Sequence, residues 1–221
     1  MSVLADVFLA ALVVVNLALA GVGRLPTAIR IVGFQGVLIG LLPLVITGEH
    51  GVISLVNMLV KGVVMPVMLT YALKKSKAIR ELEPLVSFGK SVAIVFGITL
   101  ASFYFCEAKH IESEVTTRLA IPIAFATIST GLFLIVSRRK AITQVLGFLV
   151  FENGVSVFAA AIAMEYGLIV ELGILLDVFV LVFVLGIAIF EINRTFSSID
   201  TDRLNKLGDV GHLHRHGGAR S

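Results

Sequence analysis

The chain alternates between long apolar stretches and short polar turns. A helix needs about 20 predominantly apolar residues to cross a bilayer, so each stretch predicts one membrane span. The apolar residues run continuously rather than alternating, which argues against strands of a membrane barrel. The seven predicted spans are 3–23, 28–47, 51–73, 91–106, 119–136, 141–164 and 168–191.

Most connections between these spans are only a few residues long, which makes sequential spans antiparallel neighbours. The predicted fold is therefore all-α, a polytopic transmembrane helical bundle. The longest connection, residues 74–90, is strongly charged and contains Pro84. It divides the chain into a three-span unit at 1–73, a charged cytoplasmic loop at 74–90, a four-span unit at 91–193 and a cytoplasmic tail at 194–221.

The distribution of basic residues predicts the orientation. With the N-terminus outside, fifteen of the 18 Lys and Arg residues fall on the inner side, and only Lys109 and Arg118 fall on the outer side. Short cytoplasmic loops carry an excess of Lys and Arg. The sequence therefore predicts an outer N-terminus and a cytoplasmic C-terminus.

Composition supports the membrane class. The chain is 57% hydrophobic and 15% charged, whereas soluble domains are about 45–50% apolar and about 25% charged. This excludes a disordered protein and makes a soluble enzyme a poor interpretation. Its single cysteine, Cys106, excludes an internal disulfide and an all-Cys metal site. The chain has a net charge of +3. In a membrane protein such a basic excess is typically located in the cytoplasmic loops, so no nucleic acid partner is predicted.

Three ionisable residues lie near the middle of predicted spans: Lys61, Glu152 and Asp177. Placing a charged residue at the centre of a membrane helix costs about 2.5–3.5 kcal/mol on insertion scales. Each of these residues is therefore a candidate functional residue. Burial disfavours the charged forms of carboxylates and lysines, so both types can exchange protons. The functional interpretation is a proton relay in which Asp177 is the neighbour of Glu152, because the short turn at 165–167 makes their two spans an antiparallel hairpin. The alternative is a structural ion pair within the bundle or with a neighbouring subunit.

Other polar residues accompany these charges. Asn153 follows Glu152, and Ser156 lies one turn further on the same face. Gln35 and Asn57 also fall within spans, where they either support the ionisable groups or make ordinary helix contacts. Glu171 falls in the first outer turn of the last span, either as an entry to the same path or as a carboxylate that favours the helix dipole.

No nucleotide-binding loop, zinc motif or nucleophile elbow occurs in the chain. Two midspan carboxylates do not form a metal site alone. The sequence therefore predicts no catalytic residue, no metal site and no cofactor in this chain.

Residues 137–154, SRRKAITQVLGFLVFENG, resemble the K subunit of respiratory complex I, and the likeness extends over about 119–193. In that family an arginine-rich inner turn leads into a helix with a glycine and a midmembrane glutamate. Anchored on Gly147 and Asn153, the family glutamate would fall at Leu149, whereas Glu152 lies three residues later on roughly the same face. The family's second carboxylate would correspond to Asp177 or Glu171.

Most of the chain also resembles component E of hydrogenase-4, through residues 170–187, VELGILLDVFVLVFVLGI, and 196–209, FSSIDTDRLNKLGD. The resemblance implies a subunit of a formate hydrogenlyase-type group 4 hydrogenase complex in a prokaryotic cytoplasmic membrane. It implies antiporter-like and complex I-like membrane partners and a peripheral hydrogenase arm that holds the nickel–iron and iron–sulfur centres. This chain would contribute Glu152, Asp177 and Lys61 to a proton or ion path.

Two interpretations of other classes stay open. One is a structural subunit that anchors the complex without relaying protons. The other is a cation/proton antiporter subunit or a stand-alone small transporter, for which the short loops leave little room for a soluble ligand domain.

Overall fold

The computed structural model describes residues 2–47, 51–75, 85–111, 113, 117–138, 141–162 and 186. These residues form helices and connecting turns and contain no β-strand, so the all-α prediction is confirmed for them. The helices are α1 (Ser2–Gly21), α2 (Leu25–Thr47), α3 (Gly51–Leu59), a π-helical segment (Val60–Val64), α4 (Met65–Lys75), α5 (Phe88–Ala108), α6 (Ala120–Ser137) and α7 (Ala141–Ile162).

Six segments of the described chain are long and apolar enough to cross a membrane. They correspond to the first six predicted spans, and their ends differ from the predicted ends by a few residues. The fourth is longer than predicted, because α5 extends from Phe88 to Ala108 rather than over 91–106. The seventh predicted span, 168–191, lies outside the described residues, and the orientation stays a prediction.

The third span is not one regular helix, which the apolar pattern did not predict. Between α3 and α4 the chain forms a π-helical turn, in which the Met65 N–H bonds to the Val60 carbonyl. Pro66 follows directly and has no N–H to continue the regular ladder. π-Helical turns are rare and often occur at functional sites, and this one contains Lys61.

Glycines allow two close helix crossings. A Cβ added at Gly131 of α6 would collide with the backbone of Phe151 on α7. A Cβ added at Gly36 of α2 would lie 2.6 Å from the carbonyl oxygen of Lys61. These crossings bring α7 against α6 and the π-helical segment against α2, while α1 packs on α2, α5 and α6.

Two apolar clusters occupy opposite ends of the bundle. One contains Leu25 and Val145, and the other contains Leu9 and Val157. Along each helix that contributes to both clusters, buried polar residues lie between them. The hydrogen-bonded residues among them, together with Lys61 of the π-helical segment and the part-buried Ser156, form what we call the polar layer: Asn16, Gln35, Lys61, Thr127, Glu152, Asn153 and Ser156.

Candidate functional site

The centre of the polar layer is an ion pair between helices that are far apart in sequence. The Lys61 ammonium donates a hydrogen bond to Oε1 of Glu152. Lys61 is 5% exposed and Glu152 is 2% exposed. Opposite charges that are so deeply buried attract each other more strongly than they would in water. The pair therefore joins the π-helical segment to α7 inside the bundle.

Ser156 connects the two charged groups. Its hydroxyl accepts a hydrogen bond from Lys61 Nζ at 2.6 Å. The same hydroxyl lies 3.2 Å from Oε1 of Glu152 and 3.1 Å from the Glu152 backbone carbonyl, so it can donate to either oxygen. A hydroxyl is both a donor and an acceptor, so Ser156 provides a second contact between the ammonium and the carboxylate.

The local backbone explains how Lys61 reaches α7. Lys61 lies in the π-helical turn, where one extra residue per turn rotates the side chains relative to those of a regular helix. The absence of a side chain at Gly36 lets α2 lie directly against the Lys61 backbone. Both features place the lysine towards the bundle interior, and its neighbours Leu59 and Val63 are exposed.

A chain of side-chain hydrogen bonds begins beside the ion pair. Asn153 donates to Gln35 at 3.4 Å, Gln35 donates to Asn16 at 2.9 Å, and Asn16 donates to Thr127 at 2.9 Å. The Thr127 hydroxyl then donates to the Ile123 carbonyl at 2.8 Å. We call these four side chains the amide chain. It links α7, α2, α1 and α6, and it fixes their relative depths.

The two parts of the polar layer differ chemically. The side chains of Glu152 and Lys61 can each gain or lose a proton, and the Ser156 hydroxyl is hydrogen-bonded to both of them. Primary amides do not exchange protons readily under ordinary conditions, so the amide chain acts as a positioning network. Glu152 and Asn153 are consecutive residues, so the amide chain holds the segment of α7 that carries the carboxylate.

The predicted site residues have different outcomes. The structure brings Lys61, Glu152 and Ser156 together, and it places Asn153 in the amide chain. Asp177 and Glu171 lie outside the described residues, so the predicted Glu152–Asp177 contact stays a prediction. Among the described residues no group of three or more His, Cys, Asp and Glu side chains is close enough to hold a metal ion.

Two members of the polar layer were missed by the sequence analysis, Asn16 and Thr127. Asn16 is the one amide side chain in the first span, and a buried amide in an apolar helix needs a partner. The presence of one amide in an otherwise apolar span could therefore have identified Asn16 as a candidate member of the site. No sequence feature could have identified Thr127, because a threonine hydroxyl in a helix can donate to the carbonyl four residues earlier and so needs no other partner.

Six apolar helices with a polar layer buried between them define an α-helical membrane protein. The chain is 31% identical over 215 residues to the "Uncharacterized protein Rv0085" of Mycobacterium tuberculosis, which covers 94% of this chain and 97% of that protein. The chain belongs to the same family as that protein.

A more distant similarity carries a functional name. The chain is 25% identical over 149 residues to the "Hydrogenase-4 component E" of Escherichia coli K12 and to that of Shigella flexneri, which covers 66% of this chain and 68% of each relative. No protein-family model and no solved structure matches the chain.

Proposed function

We propose that this chain is a non-catalytic membrane subunit of a group 4 hydrogenase or complex I-like complex, in which the Lys61–Glu152 pair is part of a proton or ion path. Electron transfer would take place on nickel–iron and iron–sulfur centres of partner subunits. The relatives named hydrogenase-4 component E support the type of complex. The buried, hydroxyl-bridged ion pair is the observation that carries the role in ion movement.

The chemistry of the pair supports this role. With Lys61 charged and Glu152 ionised, the pair is electrically neutral and therefore tolerated in the bundle. Adding a proton to Glu152 leaves the lysine charge uncompensated, and removing one from Lys61 leaves the carboxylate uncompensated. Either change is costly in a low-dielectric interior. A charge that moves in a neighbouring subunit would offset that cost, which couples protonation of the pair to events outside this chain.

The rest of the proposal follows from the resemblance. The complex would reside in a prokaryotic cytoplasmic membrane beside antiporter-like and complex I-like subunits, with a peripheral hydrogenase arm. Asp177, with Glu171 as the alternative, would provide the second carboxylate of the path.

A structural membrane anchor is the second candidate function. The amide chain joins four helices, and the ion pair satisfies its own charges. Both features stabilise a bundle without any proton movement. The two functions differ in what happens when one charge is removed but the subunit remains assembled.

The test uses the tagged chain purified in mild detergent from its native membrane. Co-purification with hydrogenase-like and antiporter-like subunits is expected, and a lone defined oligomer would contradict membership of a complex. In the complex, Lys61→Met should impair assembly or coupling, because it leaves Glu152 uncompensated. Lys74→Met is the matched control, since Lys74 is exposed near the end of α4. An assembled, fully coupled Lys61→Met complex would remove the lysine from the path.

A further inference from the structure

A second buried cation lies at the end of the bundle where α6 joins α7. Arg138 directly follows α6 and is 3% exposed. Its Nη2 donates to the Ala20 carbonyl at 3.3 Å, and its Cζ lies 5.5 Å from the ring centroid of Phe88. Burial lowers the pKa of the guanidinium, yet arginine keeps its charge in proteins. The bundle therefore holds a full positive charge largely removed from water.

That charge is incompletely matched in the part of the chain that the structure describes. Arg138 has no carboxylate partner there, and its Nη1 is buried without a hydrogen-bond partner. The neighbouring Ser137 hydroxyl is also buried without one. A buried charge without a partner is strongly unfavourable, and one backbone carbonyl and one ring face provide only partial compensation. The missing component is an acceptor with negative charge.

A cavity next to Arg138 provides the place for such an acceptor. It lies between α1, α2, α6 and α7, and its walls include Leu19, Ala28, Thr143 and Gly147. Its empty space is about 250 Å³, part of it open to solvent. The enclosed part holds one water-sized group rather than a whole headgroup. Thr143 belongs to the first turn of α7, where the helix dipole favours negative charge.

The surroundings of the cavity are basic. Arg24, Lys74 and Lys90 are exposed near the same end of the bundle, and Arg139 and Lys140 follow Arg138 in the sequence. Basic clusters at the end of a membrane bundle attract anionic lipid headgroups. The exposed cations would attract the headgroup, and the buried guanidinium would bind one of its oxygens.

We propose that Arg138 and this cavity form a binding site for a phosphate oxyanion, with one phosphate oxygen accepting a hydrogen bond from Nη1. The oxyanion belongs either to an anionic phospholipid at the membrane surface or to free phosphate. The site is separate from the Lys61–Glu152 pair and does not depend on the proposed function.

The test measures thermal unfolding of the full chain in an uncharged detergent. Phosphatidylglycerol, phosphatidylcholine and inorganic phosphate are titrated at matched ionic strength. Phosphatidylglycerol should raise the midpoint, and phosphatidylcholine should not. A rise with inorganic phosphate at equal affinity would identify a free anion, and a rise with phosphatidylglycerol alone would identify a lipid. No rise with either would overturn the proposal, whatever any variant does.

Variants of the chain then locate the site. Arg138→Gln should weaken the apparent affinity for the stabilising compound at least about tenfold, because it removes a charge-assisted hydrogen bond. Arg138→Lys should restore part of it, and Lys109→Gln, an exposed control at the opposite end of α5 from Phe88, should leave it nearly unchanged. An equal response in Arg138→Gln and in the unmodified chain would overturn the proposal.

A carboxylate of the chain itself is the competing explanation. Glu81 and Glu83 precede Leu85, whose N–H donates to the Ser137 carbonyl at 2.9 Å. The Glu81→Gln/Glu83→Gln double variant should keep both the stability and the phosphatidylglycerol response of the unmodified chain. If the double variant is as unstable as Arg138→Gln, and if phosphatidylglycerol does not stabilise the unmodified chain, then those carboxylates are the partners of Arg138. That result would overturn the proposal.

Discussion

Gly36→Ala tests whether the close crossing at Gly36 positions the π-helical segment. The added Cβ would lie 2.6 Å from the Lys61 carbonyl oxygen and 2.7 Å from the carbonyl carbon, whereas ordinary contacts begin at 3.4 Å. The backbone of α2 or of the π-helical segment must therefore move by about 0.8 Å, the difference between 3.4 and 2.6 Å. Both contacted atoms belong to the main chain, so no side-chain rotation relieves the clash.

The energetic cost follows from two opposing effects. Overpacking an interior typically costs about 1–3 kcal/mol. Alanine is better than glycine within a helix by about 0.5–1 kcal/mol, which offsets part of that cost. The expected net loss is about 1 kcal/mol from the middle of these ranges.

Gly97→Ala is the matched control. Gly97 lies within α5, and a Cβ there meets nothing within 4 Å. It should gain the helix preference without the clash. The two variants should therefore differ by about 2 kcal/mol, or about 4–8 °C in unfolding midpoint for a chain of this size. The assay is thermal unfolding in detergent, followed by circular dichroism. Equal midpoints for the two variants would refute the close crossing.

Three further predictions concern the polar layer and the topology. Replacing both charges, as in Lys61→Met/Glu152→Leu, should destabilise the chain less than Lys61→Met alone, because a single buried charge without its partner costs about 3–5 kcal/mol. Thermal unfolding of the two variants checks this, and a larger loss in the double variant would contradict it. Gln35→Leu should cost about 1–3 kcal/mol, because it removes the donor to Asn16 Oδ1 and the acceptor for the Asn153 amide group, both of which are buried. An unchanged unfolding midpoint would mean that the amide chain does not hold the helices together. A reporter fused after Gly208 should show a cytoplasmic location, and periplasmic activity there would refute the predicted orientation.

The sequence predicted the described spans well because the signal is large. A bilayer imposes a minimum apolar length on each helix, and a few substitutions cannot conceal a stretch of that length. The interior of the third span was harder to predict. Its π-helical turn depends on where α2 approaches and on how the ladder adjusts before Pro66, and neither is encoded by hydropathy.

The candidate site was predictable as a set of residues but not as a set of contacts. Lys61 and Glu152 stand out because a charge within a span is costly and therefore rare. Their similar depths made contact feasible, yet 91 residues separate them. To predict the pair, one must know the direction in which the Lys61 side chain points around the helix axis, and the π-helical turn changes that direction. The short turn between their spans also made Asp177 a candidate neighbour of Glu152, and that contact stays a prediction.

The amide chain shows a second limit of sequence reasoning. Gln35 and Asn153 were recognised as polar residues within spans, but each has several possible partners in a helical bundle. Asn16 completes the connection between them and Thr127, and its place depends on how α1 packs against α2 and α6. Sequence periodicity does not determine that packing, because α1 is apolar on nearly every face.

Proton translocation by the assembled Glu152→Gln complex tests the central claim most directly. Glutamine keeps the shape of Glu152, and its side-chain carbonyl still accepts the hydrogen bond from Lys61, so the ammonium keeps a polar partner that Lys61→Met denies to Glu152. The amide cannot release a proton. The matched control is Glu107→Gln, since Glu107 is exposed on α5. The account predicts that Glu152→Gln assembles, keeps redox activity with artificial electron carriers and loses translocation, while the control keeps all three. Full translocation by an assembled Glu152→Gln complex would contradict the account and leave the ion pair as a structural element.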